Sequence, residues 1–159
     1  MPTEDKHYHS RAEFLDDLVV ALGGYVAEET IFGKDAVSTG PSNDLRQATQ
    51  LARTMVTQYG MSEALGPRTF GEQDELIFLG KEIHEQRDYS EKTAEHIDVE
   101  ITKLIKEAKQ RAEKLLKDKR DVMERVVRAL LEKETLEQEE FRVLIDGEAG
   151  LAPHELAAA

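Results

Sequence analysis

The sequence of 159 residues contains no cysteine, and this absence removes several classes of chemistry. Disulfide bonds, thiol nucleophiles, redox pairs and cysteine-based zinc sites are all excluded. Tryptophan is also absent, and aromatic residues make up only 6% of the chain. Together with the many alanine, leucine, glutamate and lysine residues, this scarcity of aromatic side chains favours helices over strands.

Long hydrophobic runs and excess positive charge are missing as well. The longest apolar run covers residues 18–22, whereas a membrane-spanning helix needs about 20 apolar residues. The charged N-terminal residues do not resemble a signal peptide. Lysine and arginine number 21 against 33 acidic residues, so the net charge is -12. Because nucleic-acid binding depends on neutralising phosphates, nucleic acid is a poor partner for this chain.

Hydrophobic periodicity predicts an all-α fold of several helices. Ser10 and Glu13 have the spacing of an S-x-x-E capping box, which predicts that a first helix starts there. Gly23 and Gly24 interrupt this helix and suggest a kink or the close approach of another backbone. A second helix is predicted from about Asp44 to Tyr59, and Gly60 is the expected stop.

The second half of the chain predicts one long helix and two shorter ones. Apolar residues recur at helical spacing over about 90–118, which predicts a helix of about 28 residues that is capped by Ser90. Two further capping boxes predict the shorter helices and pair Asp121 with Glu124 and Thr135 with Gln138. Glycine and proline predict a long irregular connection at 60–89, in which residues 76–79 are compatible with a short strand.

The motifs of common enzyme classes are absent from the chain. Neither G-x-x-x-x-G-K-[ST] nor G-x-G-x-x-G occurs, so this chain alone is not expected to bind ATP. His84 and Glu85 begin an H-E-x-x-H pattern, but Asp88 stands where the second histidine is needed. His7 and His9 are expected to bind metal only adventitiously. The other histidines are expected to be solvated or packed side chains rather than ligands.

Three acidic residues are the candidates for chemistry. Asp44 opens the predicted second helix after a loop of glycine, proline, serine and asparagine. From the residues alone, we expect it to be an N-cap whose carboxylate accepts the N–H of Gln47. Glu28 and Glu29 form a carboxylate pair on the first helix, and such pairs are usually solvated.

Three stretches of the chain resemble the FtsH-type ATP-dependent zinc metalloproteases. They read GGYVAEE, STGPSNDLRQAT and YGMSEALGP, and the resemblance extends over about residues 2–145. It implies a membrane-anchored homohexamer at the cytoplasmic face, in which an ATPase module serves a peptidase domain that degrades unfolded or unstable proteins. It also implies a zinc ion held by two histidines of an H-E-x-x-H helix, whose glutamate is the general base, and by an aspartate that matches Asp44.

The same resemblance predicts what this chain lacks. No H-E-x-x-H occurs in it; in the family that motif, the ATPase module and the membrane segments lie upstream of the segment that matches Met1. We therefore expect residues 1–147 to be the C-terminal part of the peptidase domain, without catalytic residues of its own, and 148–159 to be a flexible tail. Zinc would belong to the complete domain, and ATP to the ATPase module.

Two further expectations come from the resemblance. Glu28 and Glu29 match an acidic pair near the metal, where they would support the ligands, with solvated helix residues as the alternative. Tyr25 stands where the family usually has arginine, which affects local packing rather than chemistry.

Other interpretations of the whole chain remain open at this stage. One is a non-catalytic helical adaptor or oligomerisation module derived from the same scaffold, with the long helix as a docking surface. Another is an unrelated all-α protein. Substrate preference, and the oligomeric state of the chain itself, cannot be read from the residues.

Overall fold

The computed structural model describes residues 8–71 and 88–146. Within these ranges the chain forms helices and no strand, so the all-α prediction is confirmed. The described α-helices are α1 (Arg11–Phe32), α2 (Ser42–Thr57), α3 (Glu91–Asp118), α4 (Arg120–Lys133) and α5 (Gln138–Asp146), with a short 3₁₀ turn at Lys34–Ala36. None of the helices in the described part is long and apolar enough to cross a membrane. The predicted strand at 76–79 and the tail at 148–159 lie outside the described residues.

The helix α1 begins as its sequence predicts. The Glu13 N–H donates to the Ser10 Oγ at 3.2 Å, and the Glu13 carboxylate accepts the Ser10 N–H at 2.7 Å, so the capping box is complete. These reciprocal bonds satisfy two backbone donors that a helix start otherwise leaves unpaired. The helix ends at Gly33, whose φ of 87° is one that other residues rarely adopt.

The start of α2 differs from the prediction. The helix begins at Ser42, and its N-cap is Pro41, which makes no side-chain capping bond. Asp44 therefore lies inside the first turn, and its expected role as an N-cap that bonds to Gln47 is wrong. The physical reason is that the Pro41 carbonyl already accepts the Leu45 N–H at 3.0 Å, which closes the first turn earlier.

The irregular chain after α2 depends on one glycine. Gly60 has a φ of 61°, and a Cβ built there would lie 3.0 Å from the Cα of Pro67. A side chain would meet both a strained backbone and a clash, so only glycine fits. Further on, the Phe70 N–H donates to the Thr57 carbonyl at 2.8 Å, and the Phe70 side chain is buried. The described part of the predicted connection is thus irregular but anchored.

The helix α3 has the length that the sequence predicts, and Ser90 caps it. The Ser90 Oγ accepts the Thr93 N–H at 3.2 Å, and the helix runs for 28 residues. Its buried positions recur at helical spacing: Ile97, Ile101, Leu104, Ala108 and Ala112. They belong to a first compact unit that extends to Glu113. Its other buried apolar residues are Leu18, Leu22, Val26, Ala48, Ala52, Met55, Val56 and Phe70.

The second compact unit begins at Lys114 and contains α4 and α5. Neither helix starts at its predicted capping residue, because Lys119 precedes α4 and α5 begins at Gln138 itself. The carboxylate of Glu140 instead accepts the Glu137 N–H at 3.2 Å. The Arg125 guanidinium donates to the Leu144 carbonyl at 3.0 Å and so joins the two helices. Neither helix contains a buried residue.

Candidate functional site

Asp44 lies in the first turn of α2 and is exposed. Its carboxylate reaches towards α1 beside Gly24, because a Cβ built at that glycine would lie 3.7 Å from Oδ2 of Asp44. At that distance a Cβ would be in ordinary van der Waals contact with the carboxylate. The helix α1 continues through Gly23 and Gly24, and the group nearest to a Cβ built at Gly24 is a side chain; the sequence suggested a kink or the close approach of another backbone.

The carboxylate of Asp44 forms no hydrogen bond or ion pair with any group in residues 8–71 and 88–146. The first turn of a helix also carries unpaired N–H groups and the positive end of the helix dipole. As far as the described residues are concerned, the oxygens of Asp44 are open to an external ligand.

Glu28 lies one turn after Gly24 on α1 and is committed to the loop before α2. Its Oε2 accepts the Ser38 N–H at 2.7 Å, and its Oε1 accepts the Ser38 hydroxyl at 3.0 Å. The Ser38 Oγ in turn accepts the Gly40 N–H at 3.0 Å. Both carboxylate oxygens of Glu28 therefore hold the loop that leads to Asp44.

Glu29 is committed to a different element. Its Oε2 lies 2.6 Å from the Nζ of Lys109 on α3, and the same ammonium lies 3.4 Å from Glu113. Lys109 also sits 5.6 Å from the centre of the Tyr25 ring, in cation–π geometry. The hydrogen bond with Glu29 raises the pKa of Lys109, although partial burial acts in the opposite direction. Tyr25, where the family resemblance implies arginine, thus packs against a cation.

The candidate residues do not form a complete metal site within the described part of the chain. Structural and catalytic zinc sites use at least three protein ligands, and the described residues contain no group of three potential ligands placed to hold an ion. His9 stacks on Phe14 with ring centroids 5.5 Å apart, and His96 is exposed. His7 and His84 lie outside the described residues. The Asp44 carboxylate has the chemistry of a zinc ligand, and within the described residues it stands without the two further donors that such a site needs.

Sequence reasoning missed two residues of this site. Ser38 is one serine in a polar loop, and nothing local marks it as the partner of Glu28. Lys109 carries a weak signal, because its spacing to Glu113 is that of a helical ion pair. Its shorter contact, with Glu29, joins residues 80 positions apart and has no local signature.

Comparisons with known proteins agree on one group. The sequence model of Peptidase family M41 matches residues 1–144. The chain is 50% identical over 148 residues to the "ATP-dependent zinc metalloprotease FtsH 1" of Thermoanaerobacter sp. (strain X514), which covers 93% of this chain and 24% of that protein. It is 46% identical over 147 residues to the "ATP-dependent zinc metalloprotease FtsH" of Bacillus subtilis (strain 168), covering 92% and 23%. The chain thus spans about a quarter of the length of these relatives.

Proposed function

Because the chain belongs to peptidase family M41, we propose that it works as part of an ATP-dependent zinc metalloprotease that degrades unfolded or unstable proteins. Its contribution is the third protein ligand of the zinc ion, Asp44, together with a helical packing and assembly region. For the complete protein we propose the homohexamer at the cytoplasmic face of a membrane that the family resemblance implies. ATP is used only by the ATPase module.

The observation that supports Asp44 as the ligand is its exposed carboxylate at the start of α2, which has no partner among the described residues. Two imidazoles and one carboxylate leave a coordination position open for water on a catalytic zinc ion. A zinc ion held there would supply Lewis-acid chemistry: it would acidify a bound water and polarise a peptide carbonyl. Asp44 would hold the ion, Glu28 supports the ligand region through the loop before α2, and Glu29 supports α1 itself through its pair with Lys109.

We propose that this chain is catalytically incomplete alone. Its 159 residues contain no H-E-x-x-H, so the two imidazole ligands and the glutamate base have to come from another segment. A single carboxylate does not hold zinc, and we expect the isolated chain to bind the ion only weakly. Metal-dependent cleavage of casein by this chain alone would contradict the proposal, and so would a submicromolar zinc dissociation constant that is lost in Asp44→Ala.

The ligand role is tested in a chimera in which this chain replaces the matching segment of the Bacillus subtilis relative. Asp44→Asn is expected to weaken zinc binding by at least about 100-fold, more than the loss of an outer partner usually costs. The measurements are competition with a chelator and casein cleavage. The matched control is Asp35→Asn, which removes an exposed aspartate near the same loop. Equal zinc affinity in the Asp44 variant and the parent chimera would rule out the ligand role.

A second candidate function is a non-catalytic adaptor or oligomerisation module. The observation that favours it is the exposed apolar surface of α4 and α5, which contain no buried residue. The exposed large side chains are Val127, Leu130, Leu131, Phe141, Val143 and Ile145. Two results together would favour this function over the first. The chain would self-associate in sedimentation velocity, and the chimera would bind zinc equally well with and without Asp44→Asn.

A further inference from the structure

We propose that Glu28 is a positioning residue, which sets the place of the Asp44 carboxylate by fixing the loop that leads into α2. The inference rests on the proposed function of Asp44 as a zinc ligand. Glu28 would not contact the ion but would act through Ser38. Its role would therefore differ from that of its neighbour Glu29.

The first step is the contact between Glu28 and Ser38. Each carboxylate oxygen of Glu28 accepts one hydrogen bond from Ser38. The Oε2 accepts the Ser38 N–H at 2.7 Å, and the Oε1 accepts the Ser38 hydroxyl at 3.0 Å. Hydrogen bonds to a charged acceptor are shorter and stronger than those between neutral groups. Two such bonds fix both the position and the rotation of Ser38 relative to α1. Because both oxygens are occupied, Glu28 is suited to hold protein rather than metal.

The second step carries this restraint along the loop. The Ser38 Oγ accepts the Gly40 N–H at 3.0 Å. A Cβ built at Gly40 would lie 3.1 Å from that Oγ, so a side chain there would crowd the Ser38 hydroxyl, and it would lie in ordinary contact, at 3.5 Å, with the Oε1 of Glu28. The Thr39 carbonyl then accepts the Ser42 N–H at 3.1 Å. Hydrogen bonds therefore link Glu28 of α1 to Ser38, Ser38 to Gly40, and Thr39 to Ser42, the first residue of α2.

The third step is the missing cap of α2. Many helices fix their first turn through a capping side chain, but Pro41 has none that can bond, and it is itself buried. The place at which α2 starts therefore depends on the loop, and Asp44 follows three residues later. Gly24 and Glu28 lie one turn apart on α1. The same face of α1 therefore lies beside the Asp44 carboxylate at Gly24 and bonds to the loop before α2 at Glu28.

The neighbouring Glu29 is not connected to Asp44 by hydrogen bonds through the loop before α2. Its carboxylate is paired with Lys109 of α3 and is not bonded to the loop before α2. Loss of Glu29 is expected to weaken packing against α3, whereas loss of Glu28 is expected to release Asp44. The two residues of the pair therefore differ in function although they are adjacent in sequence.

The test uses Glu28→Gln and the matched pair Ser38→Ala and Ser38→Thr in the same chimera. Glu28→Gln and Ser38→Ala are expected to weaken zinc binding by about 10–100-fold, the usual effect of losing a residue that orients a ligand. Ser38→Thr keeps the hydroxyl and is expected to bind zinc like the parent. Asp16→Asn is the control on α1, because it breaks only an exposed pair with Arg111, whose atoms lie 2.6 Å apart.

A second measurement does not depend on the metal. In the 159-residue chain, Glu28→Gln is expected to speed hydrogen exchange at the amides of Ser38 and Gly40, with Asp16→Asn as the reference. The melting temperature of the zinc-free protein is followed in parallel. A merely structural role would lower that temperature while leaving the zinc dissociation constant unchanged, and this result would overturn the inference.

The outcomes separate the two proposals. If Asp44→Asn weakens zinc binding while Glu28→Gln and Ser38→Ala bind like the parent, the positioning role is wrong and the ligand role stands. If Asp44→Asn itself has no effect, the ligand role is wrong, and the positioning role is wrong with it. If Ser38→Ala weakens zinc binding and Ser38→Thr binds zinc like the parent, both proposals are supported.

Discussion

At the scale of single residues, the partner of each carboxylate decides what it does. Glu28, Glu29 and Asp44 have similar charge and lie near the same helix–loop junction. Glu28 is bonded to the Ser38 loop, Glu29 is paired with Lys109, and Asp44 has no partner among the residues that the structure describes. Only the unpartnered group is available to an ion, and this difference follows from contacts across the fold.

Lys109 gives a prediction about pH at this scale. Its pKa is raised above the ordinary 10.5, chiefly by the bond to Glu29. A raised lysine pKa means that the pair stabilises the fold fully below about pH 10.5 and loses this effect as the pH rises through the shifted value. Lys109→Met is expected to lower the free energy of unfolding by about 0.2–1 kcal/mol near neutral pH. Thermal unfolding of the variant and the parent measures this difference.

Thermal unfolding below and above the pKa of Lys109 tests whether the stabilisation by the ion pair falls as the pH rises. As the pH rises above 10.5 and through the raised pKa of Lys109, the parent is expected to lose the stabilising pair, so the difference between the parent and Lys109→Met should shrink. Lys103→Met is the control, because Lys103 lies on α3 and forms no ion pair with the described residues. A difference that stays constant between neutral and high pH would contradict the assigned role of the ammonium.

At the scale of elements, side chains from the connections decide where helices begin and how loops attach to them. Ser62 is buried although it is polar. Its hydroxyl donates to the Glu100 carboxylate at 2.7 Å and accepts the Leu65 N–H at 3.2 Å. One hydroxyl thereby closes the turn after α2 and fastens that turn to α3.

Removal of this hydroxyl tests the attachment. Ser62→Ala leaves the Leu65 N–H and the half-buried Glu100 carboxylate without their partner, which costs about 1–3 kcal/mol of stability. Urea denaturation of the purified chain measures the change. The control is Ser42→Ala, because Ser42 is exposed and its side chain makes no hydrogen bond within the described part of the chain. Equal midpoints for Ser62→Ala and Ser42→Ala would show that the turn is held by other contacts.

At the scale of the whole molecule, the two compact units differ in how much they bury. The unit that ends at Glu113 contains fully buried large side chains, including Phe70, Leu18 and Met55. The helices α4 and α5 of the other unit contain no buried residue. Local stability follows buried apolar contacts, so the units should open with different free energies.

Hydrogen exchange of backbone amides checks this difference. Amides in the middle of α2 and of the buried stretch of α3 are expected to exchange slowly, through large-scale opening. Amides of α4 and α5 are expected to exchange faster by about a factor of ten or more, the ratio that about 1.4 kcal/mol of opening free energy produces. Exchange is followed by mass spectrometry over the whole chain. Equal protection in α2 and α4 would contradict the expected difference.

Local patterns in the sequence were enough for the fold class and for some helix limits. The capping box of Ser10 and Glu13 and the Ser90 cap concern bonds between residues three positions apart, which can be read from sequence. The capping boxes predicted at Asp121 and Thr135 have the same spacing, but the helices start elsewhere. Spacing permits a cap, and the surrounding chain decides whether it forms.

The sequence by itself determined the helical class, the length of α3 and the family resemblance, which implies that Asp44 is a zinc ligand. The tertiary structure decided that α2 starts at Ser42, that Asp44 has no partner among the described residues, and that Glu28 and Glu29 serve different elements. The reason is physical: helix periodicity and caps act over one turn, whereas the contacts of a carboxylate depend on which distant segments pack beside it.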